Sequence, residues 1–121
     1  WNIDNKSPSN LSSPLVFNNR VHVVKFGGIS SCFDAQTGDE IWGRTRLRNF
    51  GDYYASPIAA DGKIYIAGRN GFVVVIDDAA ELKILAKNDV GEEILATPSI
   101  ADGRIYVRGR ESIFCFSNEA K

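Results

Sequence analysis

The sequence predicts an all-β fold built from repeated sheets of four antiparallel strands, and three observations carry that prediction. Three segments align with one another: SPLVFNNRVHVVKFGGISSCFD from Ser13, SPIAADGKIYIAGRNGFVVVID from Ser56 and TPSIADGRIYVRGRESIFCFS from Thr97. Their prolines, Pro14, Pro57 and Pro98, stand 43 and 41 residues apart, close to the roughly 40–50-residue period of propeller blades. No stretch of about ten residues carries a helical period, whereas short alternating apolar runs recur throughout.

Each element of the repeat has a local cause. The proline opens an apolar strand at a place where a missing N–H is tolerated. Asn18-Asn19, Asp61-Gly62 and Asp102-Gly103 follow. Such pairs accept positive φ and mark tight hairpins. The second strand alternates as Val21-His22-Val23, Ile64-Tyr65-Ile66 and Ile105-Tyr106-Val107. A turn at Gly28, Gly71 or Glu111 leads into a third strand, carrying Ser31-Cys32-Phe33, Val74-Val75-Ile76 or Phe114-Cys115-Phe116. A fourth strand is expected at Glu40–Arg44 and at Leu82–Ala86. The third repeat ends before its fourth strand. Trp1-Asn2-Ile3-Asp4, 13 residues before Pro14, has the spacing of a fourth strand without a blade of its own. The expected divisions are an outer strand and linker over 1–12, then blades over 13–55, 56–96 and 97–121. Three blades are too few to close a ring, since closed propellers have roughly 4–8. The chain is therefore expected to be a partial propeller, completed by a protein partner, by its own copies, or by further chain.

Composition narrows the function classes. The 121 residues suffice for one small domain. A net charge of −1 carries no electrostatic footprint of nucleic acid. No apolar run approaches the roughly 18 residues of a membrane-spanning helix. The chain contains no Met, so it reads as processed or cut from something longer.

The segment Asp34-Ala35-Gln36-Thr37-Gly38-Asp39-Glu40-Ile41-Trp42 resembles the tryptophan-docking motif of quinoprotein-like (PQQ-like) β-propeller repeats. The Ala-Asp-Gly-Lys/Arg-Ile-Tyr openings of the second and third repeats resemble the same family. That family includes quinoprotein dehydrogenases, the lipoprotein scaffold of outer-membrane β-barrel assembly and other extracytoplasmic bacterial proteins. The resemblance implies that Trp42 and Trp1 pack between neighbouring blades. It places Leu85 at the matching position of the second repeat, with Ala80-Glu81 replacing Thr37-Gly38, so docking there is degenerate. The ending Ile113-Phe114-Cys115-Phe116 resembles the C-terminal end of such chains, which implies a natural C-terminus and a truncated N-terminus. By the same resemblance the chain belongs in the periplasm or cell envelope of a bacterium.

Residues with chemical potential read as structural. Asp34, Asp39 and Glu40 lack the spacing of a Ca²⁺ loop, and Asp34 suits a turn. His22, the only histidine, aligns with Tyr65 and Tyr106, so neither a catalytic triad nor a zinc site is built around it. Cys32 and Cys115 align with Val75 as small core residues. Two blades apart, they exceed the ~7 Å Cα separation a disulfide allows. No catalytic, metal or cofactor residues are expected. The basic residues Arg44, Arg46, Arg48, Arg69, Arg104, Arg108 and Arg110 form no run. The connector RLRNFGDYYA, 46–55, carries Arg48, Phe50, Tyr53 and Tyr54, residue types of protein-binding hot spots, although its tyrosines could equally pack between blades. The function expected is a non-enzymatic scaffold or protein-interaction module, the C-terminal part of a longer repeat protein. The alternative is a fragment of a quinone-dependent dehydrogenase. The enzymes of that family often use a vicinal cysteine pair, which this sequence lacks.

Overall fold

A computed structural model describes residues 1–3, 12–47 and 52–117. Its elements in chain order are β1 (Leu15–Phe17), β2 (Arg20–Lys25), a short 3₁₀ turn (Phe26–Gly28), β3 (Ile29–Asp34) and β4 (Glu40–Arg46). Then come β5 (Ile58–Ala60), β6 (Lys63–Ala67), β7 (Phe72–Asp77), β8 (Ile84–Asp89), β9 (Ser99–Ala101), β10 (Arg104–Arg108) and β11 (Ile113–Ser117). They form three antiparallel meanders: four strands in the order β1-β2-β3-β4, four in the order β5-β6-β7-β8, and three as β9-β10-β11. Each meander is one blade of a partial propeller, as the sequence predicts. Among the described residues, no helix is long and apolar enough to cross a membrane.

The hairpins arise where the Asx residues allow them. Asn18 and Asn19 adopt φ of 50° and 60°, and Asp61 and Asp102 adopt 57° and 50°. Apart from glycine, residues without a short polar side chain adopt this left-handed region at a cost, so these Asx-Asn and Asx-Gly pairs locate the inner turns. The fourth strands differ in extent from expectation. β4 runs on to Arg46, and β8 begins at Ile84 and continues to Asp89. The second shift has a local cause: Asp77 N–H donates to Lys83 O at 3.0 Å, so a longer turn consumes residues up to Lys83 before pairing starts.

Strand alternation assigns each face of a blade to one neighbour. On blade one, His22 sits opposite Cys32 and Val24 opposite Ser30. All four are buried, facing blade two. Blade two answers with Ile64, Ile66, Val74 and Ile76, and Trp42, Leu47 and Tyr53 complete that core. The opposite face of blade two offers Ala67 and Val73, which join Ala55, Ile94 and Val107 in a smaller core against blade three. The outward face of blade three carries Tyr106 opposite Cys115 and Arg108 opposite Ile113. Cys115 corresponds to Cys32, yet it is exposed rather than a core residue. The difference is positional: no described element packs against that face. Neither cysteine is in a disulfide.

Candidate functional site

The junctions between blades are the most organised features of the molecule. One device repeats. Ser13 N–H donates to Ser56 Oγ at 2.8 Å, and Ser56 N–H donates to Thr97 Oγ1 at 2.9 Å. Ser56 and Thr97, each standing before a proline, thus accept from their counterparts on the preceding blade. That hydroxyl ladder explains why a small hydroxyl residue stands at this place in the second and third repeats.

The junction of blades one and two is pinned by Asp78, a second acid beside the turn residue Asp77. Its carboxylate accepts from Asn18 Nδ2 at 2.8 Å and Arg20 Nη1 at 3.1 Å, and lies 3.3 Å from His22 Nε2. A carboxylate can only accept here, so the His22 proton belongs on Nε2. Burial lowers the His22 pKa from 6.5, although Asp78 opposes that shift. His22 is therefore a neutral structural group near neutral pH. Its ring is tilted at 55° to Trp42 with centroids 6.0 Å apart. Cys32 Sγ lies 3.9 Å from the same imidazole, and burial pushes its thiol up to about 11. A thiol held protonated is a poor nucleophile. Among the described residues, no group of three or more His, Cys, Asp or Glu side chains is placed to hold a metal ion.

The Asp34–Gly38 turn is built as its sequence suggests. Asp34 Oδ1 accepts from the N–H groups of Gln36 at 2.8 Å and Thr37 at 2.9 Å. These bonds, Thr37's first, hold the Asp34 carboxyl below the ordinary carboxylate range. Gly38 closes the turn with φ of +78°. Trp1 sits on it: its indole Nε1–H donates to Ala35 O at 3.0 Å, and its ring lies where a Gly38 Cβ would point. Residues 1–3 are not in a strand, so the strand expected over Trp1–Asp4 is absent from its described part; Asp4 lies outside the described residues. An outer strand needs a sheet edge beside it, and blade one already has its four strands.

Register corrects the docking position of blade two. Trp42 pairs with Cys32, and Ala86 pairs with Val75, the counterpart of Cys32. Ala86, rather than Leu85, therefore stands where Trp42 stands in blade one. Bulges in both β3–β4 and β7–β8 hide this from residue counting. The small side chain leaves a cleft of about 610 Å³ between blades two and three, lined by Tyr65, Val75, Leu85, Ala86, Ile105 and Phe116 among others.

The 46–55 connector divides. Tyr53 is buried in the core between blades one and two, and burial raises its phenol pKa. Tyr54 is half-buried on the rim under the Arg69 guanidinium, 5.7 Å from its ring centroid. Arg48 and Phe50 lie outside the described residues. The sequence reading missed the partners on this rim. Arg69 Nε donates to Glu93 Oε2 at 2.9 Å, and its Nη1 lies 3.9 Å from Asp52 Oδ2. The Arg69-Asn70 pair in the β6–β7 turn was the available signal.

A family model described as outer membrane protein assembly factor BamB matches residues 25–121. The chain belongs to the BamB family. Among solved structures, BamB from Moraxella catarrhalis is similar with a TM-score of 0.76 and 21% identity, over 97% of this chain and 36% of that one. Quinohemoprotein alcohol dehydrogenase from Comamonas testosteroni is similar with a TM-score of 0.67 and 17% identity, over 84% of this chain and 17% of that one. A computationally designed protein, Ika8, matches with a TM-score of 0.67 and 12% identity, over 86% of this chain and 32% of that one. At these identities the structural likenesses show the PQQ-like propeller fold alone. The chain spans about a third of the length of the M. catarrhalis BamB it matches. No curated protein matches it at a significant level.

Proposed function

We propose that the chain is a non-enzymatic scaffold, the three-blade part of a longer BamB-like propeller, acting through protein contacts at the periplasmic face of a bacterial outer membrane. The observation that carries this reading is the match of the BamB family model over residues 25–121. Membership of the BamB family supports outer membrane protein assembly as the process served. Tyr54 is proposed as a contact on the rim, next to the buried Tyr53, and Arg48 and Phe50 of the same connector are proposed as protein-contact residues on their chemistry alone.

The dehydrogenase alternative rests on the fold likeness to quinohemoprotein alcohol dehydrogenase. Thermal unfolding with and without the quinone cofactor and Ca²⁺ separates the readings. A ligand that binds the native state raises its melting temperature by mass action. The scaffold reading predicts an unchanged midpoint. A rise of several degrees at saturating cofactor would overturn it.

A further inference from the structure

The junction of blades one and two gathers titratable groups inside an otherwise apolar core, and both of its sides lie within the described residues. Arg20 and His22 come from β2, and Cys32 from β3. Asp78 follows β7 of blade two, and Tyr53 comes from the connector. The side chains of His22 and Asp78 are only 1% and 3% exposed. The two nitrogens of the His22 ring differ. Nε2–H faces Asp78 Oδ1 at 3.3 Å, an oxygen that also accepts from Arg20 Nη1 at 3.1 Å. Nδ1 is buried and has no hydrogen-bond partner among the described residues. Trp42, whose ring centroid lies 6.0 Å away, offers an indole N–H that can only donate. A second proton on the imidazole must go to Nδ1. There it becomes a buried donor on a charged ring, while the one carboxylate at the junction already faces Asn18, Arg20 and Nε2. A buried charged donor without an acceptor is costly, and the same group in water is not.

We propose that this junction is an acid-sensitive joint, in which protonation of His22 releases blade one from blade two while each sheet keeps its own strands. Burial outweighs the Asp78 contact and holds the His22 pKa below 6.5. Opening wets the ring and returns it to its ordinary value, so the open form takes up the proton first. The joint is therefore closed most firmly above pH 6.5. Its open fraction grows as pH falls from there toward the folded pKa, by at most about tenfold per pH unit for one proton. Cys32 and Tyr53 do not share in this window, because burial pushes the thiol up to about 11 and raises the phenol too. The second junction lacks the device. Tyr65 stands there in the place of His22, the only histidine of the chain. The core of that junction consists of Ala55, Ala67, Val73, Ile94 and Val107. Opening of the first junction would also loosen the connector, since Tyr53 belongs to its core. The joint does not depend on the scaffold reading.

Thiol labelling of the 121-residue chain tests this, because Cys32 is 0% exposed inside the joint and Cys115 is exposed in the same molecule. Dipyridyl disulfide reacts with thiols in weak acid, and the Cys32 rate divided by the Cys115 rate removes the pH dependence common to both. That ratio should rise severalfold between pH 7 and 5, return on neutralisation, and leave the far-UV circular dichroism of the strands unchanged. His22→Tyr, which supplies the residue of the other two repeats, should hold the ratio level. Proton NMR of the single histidine gives a reading that needs no variant: its ring signal should titrate below 6.5 in the folded chain. A ratio that stays level in the wild type overturns the proposal, as does an equal rise in His22→Tyr. Loss of the strand signal over the same pH range overturns it too, since the whole chain would then be unfolding. None of these results touches the scaffold reading, which fails on the cofactor titration instead.

Discussion

Gly38 and Asp78 each hold a junction that no neighbouring residue could hold in their place. A Cβ at Gly38 would approach the Trp1 ring to 2.6 Å, on a backbone with φ of +78°. Gly38→Ala should therefore cost about 1 kcal/mol in backbone strain and unseat Trp1. In a proton NMR spectrum, the shifted signal of a hydrogen-bonded Trp1 indole N–H should move to the position of a solvated one. Asp78→Ala leaves His22 and Arg20 facing a junction without their acceptor. Loss of one partner from a buried polar pair costs about 1–3 kcal/mol, which urea unfolding would measure. His22 also sets a pH dependence. Its folded pKa lies below 6.5, the unfolded value, so the unfolded chain takes up the proton first. Stability from the neutral imidazole is complete above pH 6.5 and falls as pH drops below it toward the folded pKa. The Asp34 carboxylate adds a second loss below 3.8. Urea midpoints measured between pH 7 and 5 should fall in the wild type, and His22→Phe should flatten that slope.

Among the elements, β4 and β8 show how one position decides a junction. Trp42 fills the space between blades one and two. Trp42→Ala should cost about 3–5 kcal/mol, as large core truncations do. At the corresponding place on β8, Ala86 leaves a cleft. Ala86→Trp should fill it and raise the melting temperature, with a gain of about 0.5–2 kcal/mol typical of cavity filling. The strands and their turns were legible because proline spacing and Asx pairs act locally: Pro14, Asn18-Asn19 and Asp61-Gly62 mark their own hairpins. The identity of the docking residue was not. Bulges at Val75/Ile76 and around Cys32 shift the register, so a count from the prolines lands on Leu85 instead of Ala86. The roles of Ser56 and Thr97 were missed for a different reason. Each is a strand-opening residue in its own repeat, and only the packing of one blade on the next shows what its hydroxyl accepts.

At the scale of the whole molecule, the described residues form a row of three sheets linked by repeated joints. The blade-one/blade-two junction has a tryptophan, a buried polar cluster and a hydroxyl bond. The blade-two/blade-three junction keeps the hydroxyl bond and adds Glu92, whose Oε1 accepts from Glu111 N–H at 2.7 Å and Ser112 N–H at 3.0 Å. Stability in such stacks is close to a sum over units and their interfaces, so it should grade along the chain. The exposure of Cys115 belongs at this scale: its own sequence surroundings match those of Cys32, and only the missing neighbour differs. The same grading makes blade three the place where a partner would change stability most. Native-state hydrogen exchange of the dilute protein measures that gradient most directly. The account predicts slow exchange in β6 and β7, between two covered faces, and exchange in β11 faster by orders of magnitude. Amides of β11 as protected as those of β7 in the dilute monomer would contradict it.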